Sequence, residues 1–253
     1  MTALDLTPAA GAAPRGRRIA RHAAMESALT LRNGEQLLLA LVIPVGVLVA
    51  GRLFGTQFGL DPQFLPASVL ALALWSTSFT SLAITTAFER RYGVLERLVA
   101  TPLTRLDLVT GKALATATVT AGQLALLAGV AVALGWRPMP TVTQTLVAAG
   151  VAVLSAATFA SFALTLASRL RAEATLAAAN LIYLLVAAGG GVLLPLSAYP
   201  PATAAVLAWT PSGALGETLR TWAAGGTDPM PLVVVAAWAA LALLLARKAF
   251  RWT

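Results

Sequence analysis

The sequence contains no cysteine and a single histidine among its 253 residues. Disulfide bonds and thiolate metal sites are therefore excluded, and one histidine cannot form a histidine metal cluster. That residue, His22, lies in a basic leader, where we expect it to be solvated rather than paired with a catalytic serine. The acidic residues Asp61, Glu217 and Asp228 show no paired spacing. These absences argue against an enzyme and predict no metal site.

Charged residues are also scarce. Only 11% of the residues are charged, 58% are hydrophobic, and the mean hydropathy is +0.80. Soluble domains carry about a quarter charged residues, so this composition predicts a membrane protein. The net charge of +8 does not indicate nucleic-acid binding, because the basic residues stand at the ends of apolar runs rather than on a polar domain with exposed aromatic residues.

Two further absences concern the energy source. The sequence lacks a phosphate-binding loop, since its nearest match, Gly111-Lys112, is followed by Ala113. We therefore expect this chain to bind no cofactor, with any ATP and Mg held by a partner. The interiors of the apolar runs contain no ionisable residue; Gln123, Asn180 and hydroxyl groups are their only polar side chains. Because carriers driven by protons or sodium keep ionisable residues in mid-membrane, this pattern argues against secondary transport.

What the sequence does contain is long apolar runs. A membrane-spanning helix needs about 20 predominantly apolar residues, and six runs approach that length, the last by using a thin bilayer or snorkelling flanks. The first run follows a long polar segment without a clean cleavage site, which argues against a signal peptide. We therefore predict an all-α membrane protein with six transmembrane helices. The predicted spans cover residues 36–53, 66–88, 112–134, 143–166, 174–194 and 231–246.

The distribution of positive charge predicts the orientation. With both termini in the cytoplasm, all but three of the 18 Lys and Arg residues lie on the cytoplasmic side. The exceptions are Arg52, Arg137 and Arg220. Because positively charged residues are enriched in cytoplasmic loops, the count of six spans and this orientation support each other.

The remaining segments have distinct patterns. Residues 1–14 predict a disordered tail, and residues 15–253 a single transmembrane domain. Residues 15–35 have apolar side chains at helical spacing beside arginines, which predicts an N-terminal interfacial helix; the alternative is a basic leader that only orients the first span. Residues 197–227 are too polar and too rich in proline to cross, so we predict a re-entrant extracellular helical hairpin, broken at Thr210-Pro211 and shielded by protein.

The loop between the second and third spans has the clearest pattern. Residues 89–112 concentrate charge, and after Gly93 the apolar and charged side chains fall on opposite faces of a short helix. Pro102 ends this helix, and Thr104 followed by Asp107 reads as the cap of the next one. We predict a helix, a break and a helix, with a tip that contacts a soluble partner. The alternative is an amphipathic helix that only anchors the loop to the membrane surface.

This loop resembles the signature loop of type-2 ATP-binding-cassette (ABC) exporter permeases, through the sequence ERRYGVLERLVATPLTR of residues 89–105 followed by Gly111-Lys112. It is most similar to the bacterial drug-resistance branch, typified by daunorubicin exporters. The likeness covers nearly all of the chain after residue 15. It implies a permease subunit in the bacterial inner membrane, with both termini cytoplasmic, that moves hydrophobic or amphipathic compounds outward in drug efflux and antibiotic resistance.

The resemblance also implies partners and site residues. The partners are a separate ABC ATPase that binds ATP and Mg, a second permease copy or a related permease, membrane lipid and a hydrophobic small molecule. Residues 89–101 would form a coupling helix in a cleft of the ATPase, and residues 15–35 a connecting helix against the same subunit. The implied coupling residues are Glu89, Arg90, Arg91, Gly93, Val94, Leu95, Glu96, Arg97, Leu98, Thr101 and Pro102, and those of the connecting helix are Arg17, Arg18, Ile19 and Arg21.

The second and fifth spans are expected to line the substrate pathway. The triple glycine at residues 189–191 departs from the family pattern and is expected to unwind the fifth span locally. Polar and aromatic side chains in these spans are candidates to contact substrate, although such residues commonly serve helix packing or bond their own backbone. These candidates are Trp75, Thr77, Ser78, Asn180 and Tyr183.

Two alternatives to a drug exporter remain open. A permease for polysaccharides or lipid-linked glycans would need rings of aromatic residues, and the sequence has only 17 aromatic residues in all. The second alternative is a membrane subunit that does not transport and that anchors or senses for a partner. A neighbouring gene for an ATPase would favour transport over this anchor.

Overall fold

The computed structural model describes residues 11–58 and 61–249, and every regular element within them is helical. The predicted all-α class is confirmed. Each of the six predicted spans overlaps a helical segment, and shorter helices lie in the connecting segments. The helices are α1 (Arg15–Arg32), α2 (Gly34–Phe54), α3 (Leu65–Trp75), α4 (Leu82–Arg91), α5 (Val94–Val99), α6 (Arg105–Ala133), α7 (Val142–Arg169), α8 (Ala172–Gly189), α9 (Pro201–Leu207), α10 (Pro211–Ala223) and α11 (Met230–Ala249).

Within residues 11–58 and 61–249, four helices are long and apolar enough to cross a membrane. One of them is α3 and α4 taken together, because the π-helical segment Ser76–Ser81 joins them without a break. The others are α6, α7 and α8, whereas α2 and α11 contribute shorter apolar helices, Ala40–Phe54 and Met230–Leu245. The chain is therefore a multi-pass membrane protein, and the count of six spans stays a prediction.

Helix α3 forms the centre of the core. All of its residues except Leu72 are buried, and α6, α7 and α10 pack around it. At its end the Trp75 ring stacks on Phe79 and meets Phe159 edge-on, with both centroid distances 4.6 Å. Helix α7 runs along α11, and α1 runs along α6. Helices α4 and α6, which flank the loop between the second and third predicted spans, are therefore part of a packed interior.

The fifth predicted span differs from the structure at its end. It was expected to reach residue 194, but α8 ends at Gly189 and residues 190–194 are not helical. Gly191 has a φ of +72°, a left-handed conformation that glycine adopts without a steric penalty, so the triple glycine does interrupt the helix as expected. Residues 1–10 of the predicted tail lie outside the described residues, and residues 11–14 are not helical.

The segment after α8 contains the two short helices expected there. Thr210 caps α10 by accepting a hydrogen bond from the Gly213 amide, and Pro211 occupies the first helical turn, so the predicted break is confirmed. The re-entrant position of this pair in a membrane stays a prediction.

Candidate functional site

The short helix α5 is held by its own side chains. Gly93 precedes it with a φ of +67°, which allows the chain to turn sharply after α4. The Arg97 guanidinium donates to the carbonyl oxygens of Tyr92 at 2.9 Å and Gly93 at 3.2 Å. The Thr101 hydroxyl donates to the Leu98 carbonyl oxygen at 2.6 Å. A helix of six residues is unstable alone, so these bonds and the packing of α5 define its shape.

The helix that follows begins at a complete capping box. The Thr104 hydroxyl oxygen accepts from the Asp107 amide, and the Asp107 carboxylate accepts from the Thr104 amide, both at 3.2 Å. The predicted sequence of helix, break and helix is therefore present. Helix α6 begins seven residues before the predicted third span because this cap starts it in the loop.

The apolar face of α5 is directed into the protein. Leu95 is only 3% exposed and packs with Leu108 of α6, and Leu98 and Leu103 pack against this pair. The side chains of Glu96 and Arg97 are exposed. Of the predicted coupling residues, Arg91, Glu96, Arg97, Thr101 and Pro102 are exposed, Glu89, Arg90, Gly93, Val94 and Leu98 are half-buried, and Leu95 is buried.

Helix α1 is joined to the same region through Asp107, which is completely buried. Arg15 Nε lies 2.7 Å from Asp107 Oδ1, and Arg18 Nη2 lies 3.4 Å from Oδ2. Arg18 also donates to the carbonyl oxygen of Pro102. Asp107 thus both caps α6 and binds α1. Sequence reasoning identified only the cap, because a partner 92 residues away leaves no local signal.

The predicted residues of the connecting helix divide between two environments. Arg18 and Ile19 are half-buried, whereas Arg17 and Arg21 are exposed. His22, which was expected to be solvated, is only 4% exposed and packs against Gly111, where an added Cβ would lie 2.4 Å from its Cδ2. Burial lowers the pKa of His22 below its ordinary value, against the opposing effect of the Glu26 carboxylate. The expectation of a solvated histidine is wrong because α1 docks on α6.

The candidate pathway residues differ in their exposure in this chain. Trp75 and Ser78 are buried, and the half-buried Thr77 donates to Gln123 Oε1 at 2.6 Å. In α8, Tyr183 is half-buried and Asn180 is exposed. The second-span residues therefore serve internal packing in the single chain, and a role for any of them in a pathway stays a prediction.

At the opposite end of the helices, Arg220 of α10 holds the broken end of α8. It is 2% exposed, and its guanidinium donates to the carbonyl oxygens of Gly191 and Val192 at 2.8 and 2.9 Å. It also donates to Ser68 Oγ and Glu217 Oε1, both at 3.0 Å. Sequence reasoning counted Arg220 only as an external cation. The available signal was the spacing of three residues between Glu217 and Arg220 in a helix.

Comparisons with known proteins identify the family of this chain. A family model described as ABC-2 family transporter protein matches residues 32–247. A search of curated proteins gave no significant match. The matched range includes α5 and the buried residues Asp107 and Arg220, but it begins at the last residue of α1.

Proposed function

Since the chain belongs to the ABC-2 family of transporter proteins and is the permease component of an ABC exporter, we propose that a separate ATPase docks on α5 to drive export. The sequence contains no phosphate-binding loop, so ATP and Mg would be bound by that partner. The observation that carries the proposal is an exposed pair of charges, Glu96 and Arg97, on a helix whose apolar side is fixed by Leu95.

The docking surface consists of the exposed residues around α5, which we call the α5 tip. Its charges have both signs, and charged groups on a fixed backbone favour a specific partner over wrong ones. Because the Arg18 guanidinium bonds the Pro102 carbonyl oxygen, α1 is positioned beside this tip. The exposed residues Arg17 and Arg21 would then contact the same subunit. The α5 tip comprises Arg91, Tyr92, Glu96, Arg97, Thr101 and Pro102.

For the substrate we infer hydrophobic or amphipathic compounds, including drugs, moved across the bacterial inner membrane. Leu181, Leu184 and Leu185 of α8 are exposed, so this helix would face lipid or a second permease. Asn180 is exposed among them, and a polar amide inside a bilayer needs a polar neighbour. A second copy of the chain, or a related permease, that encloses a pathway beside α8 would supply one.

The orientation is testable because the native chain has no cysteine. We expect a single cysteine introduced as Met139→Cys, in the exposed loop before α7, to react with a membrane-impermeant maleimide on intact cells. A cysteine introduced as Glu96→Cys should react only after the cells are permeabilised. The measurement is the labelled fraction of each variant. Labelling of Glu96→Cys on intact cells would place the α5 tip outside and remove the proposed docking site.

Docking itself is tested by reversing one charge. We expect Glu96→Arg to weaken binding of the co-purifying ATPase by about tenfold or more. A cation of the ATPase that pairs with Glu96 would then face an arginine, and like charges at an interface cost several kcal/mol. Ethidium efflux from cells that express both subunits should fall in parallel. Binding is measured with the permease in lipid nanodiscs. Among the described residues, Glu96 makes no hydrogen bond or ion pair that the substitution would break.

The matched control is Arg169→Glu, at the last residue of α7. It reverses the charge of an exposed residue outside the α5 tip, and within the described residues Arg169 makes no ion pair or hydrogen bond that would be lost. We expect this variant to bind the ATPase like the native chain. Equal binding by Glu96→Arg and the native chain would contradict docking on the α5 tip.

A further inference from the structure

A buried cluster of charges lies between α1, α4 and α6. Lys112 of α6 is only 5% exposed, and its Nζ is 2.9 Å from Glu26 Oε2 and 2.6 Å from Glu89 Oε2. Glu26 belongs to α1, and Glu89 lies near the end of α4. A single ammonium group therefore connects three helices. We call these three residues the Lys112 junction.

His22 packs beside the Lys112 junction. It lies one turn before Glu26 on α1, with its Nε2 3.7 Å from Glu26 Oε1. It occupies the space that Gly111 leaves open beside Lys112. The groups that face Lys112 from α1 and α4 are thus two carboxyl groups and one imidazole, and Lys112 is the group that holds the carboxyl groups together.

The position of Glu89 gives the junction a link to α5. Between Glu89 and the first residue of α5 lie only the last residues of α4 and the turn at Gly93. Besides the packing of Leu95 on Leu108, two groups of charged contacts flank α5 in the sequence: the Lys112 junction through Glu89 before it and the bonds of Asp107 to α1 after it. In the bonds of Asp107 to α1, Arg15 is largely exposed, whereas all three partners of the Lys112 junction are mostly buried. Removal of one partner from the junction therefore leaves an uncompensated buried charge.

We propose that Lys112 is a positioning residue for energy coupling, an inference that rests on the proposed docking of an ATPase at the α5 tip. Through Glu26 and Glu89 it makes α1, α4, α5 and α6 move as one body. A displacement of the α5 tip is then passed to the membrane helices rather than absorbed by bending of the turn at Gly93. Because Lys112 is buried, it would act through these helices rather than by contact with the ATPase.

The test replaces Lys112 by methionine, which has a similar length and no charge. Two carboxyl groups are then left facing each other in a buried site, so α1 and α4 should separate and α5 should lose its fixed position. In the permease–ATPase complex, we expect ethidium efflux per ATP hydrolysed to fall by about fivefold or more. Hydrogen exchange at the amides of α5 and α1 should become about tenfold faster or more.

Two further variants separate coupling from folding. Lys112→Arg keeps the cation and should retain most of the efflux per ATP. Glu26→Gln keeps the pair of Lys112 with Glu89, so it should fold and give an intermediate loss. A role limited to folding would lower the yield of complex and leave the ratio of efflux to hydrolysis unchanged in the complex that remains, and that result would overturn the proposal.

The hydrogen-exchange measurement tests whether Lys112 positions α5 even if the proposed function is wrong. If the native chain binds no ATPase or exports no ethidium, docking or substrate class is wrong, while exchange at α5 still reports whether Lys112 positions it. Unchanged hydrogen exchange in Lys112→Met would contradict the positioning role of Lys112 in either case. Faster exchange confined to α5 and α1, with native rates in α7 and α11, supports it.

Discussion

Replacing Arg220 with methionine is expected to lower the free energy of unfolding by about 3–5 kcal/mol, because the change removes one partner from a buried charged network. Four acceptors lose their donor at once. The two backbone carbonyls among them, at Gly191 and Val192, belong to the interrupted end of α8 and have no helical amide to replace the guanidinium. The carboxylate of Glu217 loses its cation and, among the described residues, keeps the Leu196 amide, which donates to it at 2.6 Å.

The substitution also acts through close packing around the guanidinium. A Cβ on Gly216 would lie 2.3 Å from the Gly191 carbonyl oxygen and 2.8 Å from Arg220 Nη2, so the backbones of α10 and the α8 end touch directly. Methionine fills part of this space but supplies no donor. We therefore expect the loop after α8 and the start of α10 to become mobile together, with faster hydrogen exchange at residues 190–196.

The measurement is unfolding by denaturant in mixed detergent micelles, with Arg137→Met as the matched control. Arg137 is also an arginine on the predicted outer side, but it is exposed, so its replacement should change stability by less than about 0.5 kcal/mol. Comparable stability of Arg220→Met and Arg137→Met would mean that the α8 end does not depend on this network.

The contrast between these two arginines indicates what sequence can predict here. Helix positions, the cap at Thr104 with Asp107 and the break at Thr210-Pro211 follow from residues within a few positions of each other, and the structure contains all three. The burial of one external arginine and the exposure of another do not follow from local sequence. Arg220 reaches Ser68, 152 residues away, and only the assembled core brings them together.

The same limit applies to the candidate site. The opposite faces of α5 were predictable from the spacing of Leu95, Leu98, Glu96 and Arg97. The use of its apolar face was not, because Leu108 covers Leu95 from the next helix and leaves the charged side as the accessible one. A solvated position was expected for His22 from its basic neighbours, yet docking of α1 buries it.

Gln123 of α6 ties two other helices together in the middle of the apolar region. Pro44 of α2 has no amide hydrogen, so the carbonyl oxygen of Ala40, four residues earlier, lacks its helical partner. The Gln123 Nε2 donates to that oxygen at 2.7 Å, and its Oε1 accepts from Thr77 in the π-helical segment. One amide side chain therefore bonds the carbonyl oxygen left free by Pro44 in α2 and a hydroxyl of the π-helical segment between α3 and α4.

Gln123→Leu is accordingly expected to lower the free energy of unfolding by about 1–3 kcal/mol, the cost of leaving buried polar groups without partners. The decisive control is the double variant with Pro44→Ala. Alanine at position 44 supplies an amide that can bond the Ala40 carbonyl oxygen within α2, so that oxygen no longer needs Gln123. We expect Gln123→Leu to cost less in the Pro44→Ala background than in the native chain, by about 1 kcal/mol in a double-mutant cycle. Additive effects of the two substitutions would show that Gln123 does not compensate for the proline, and the same denaturation measurement in mixed micelles gives all four stabilities.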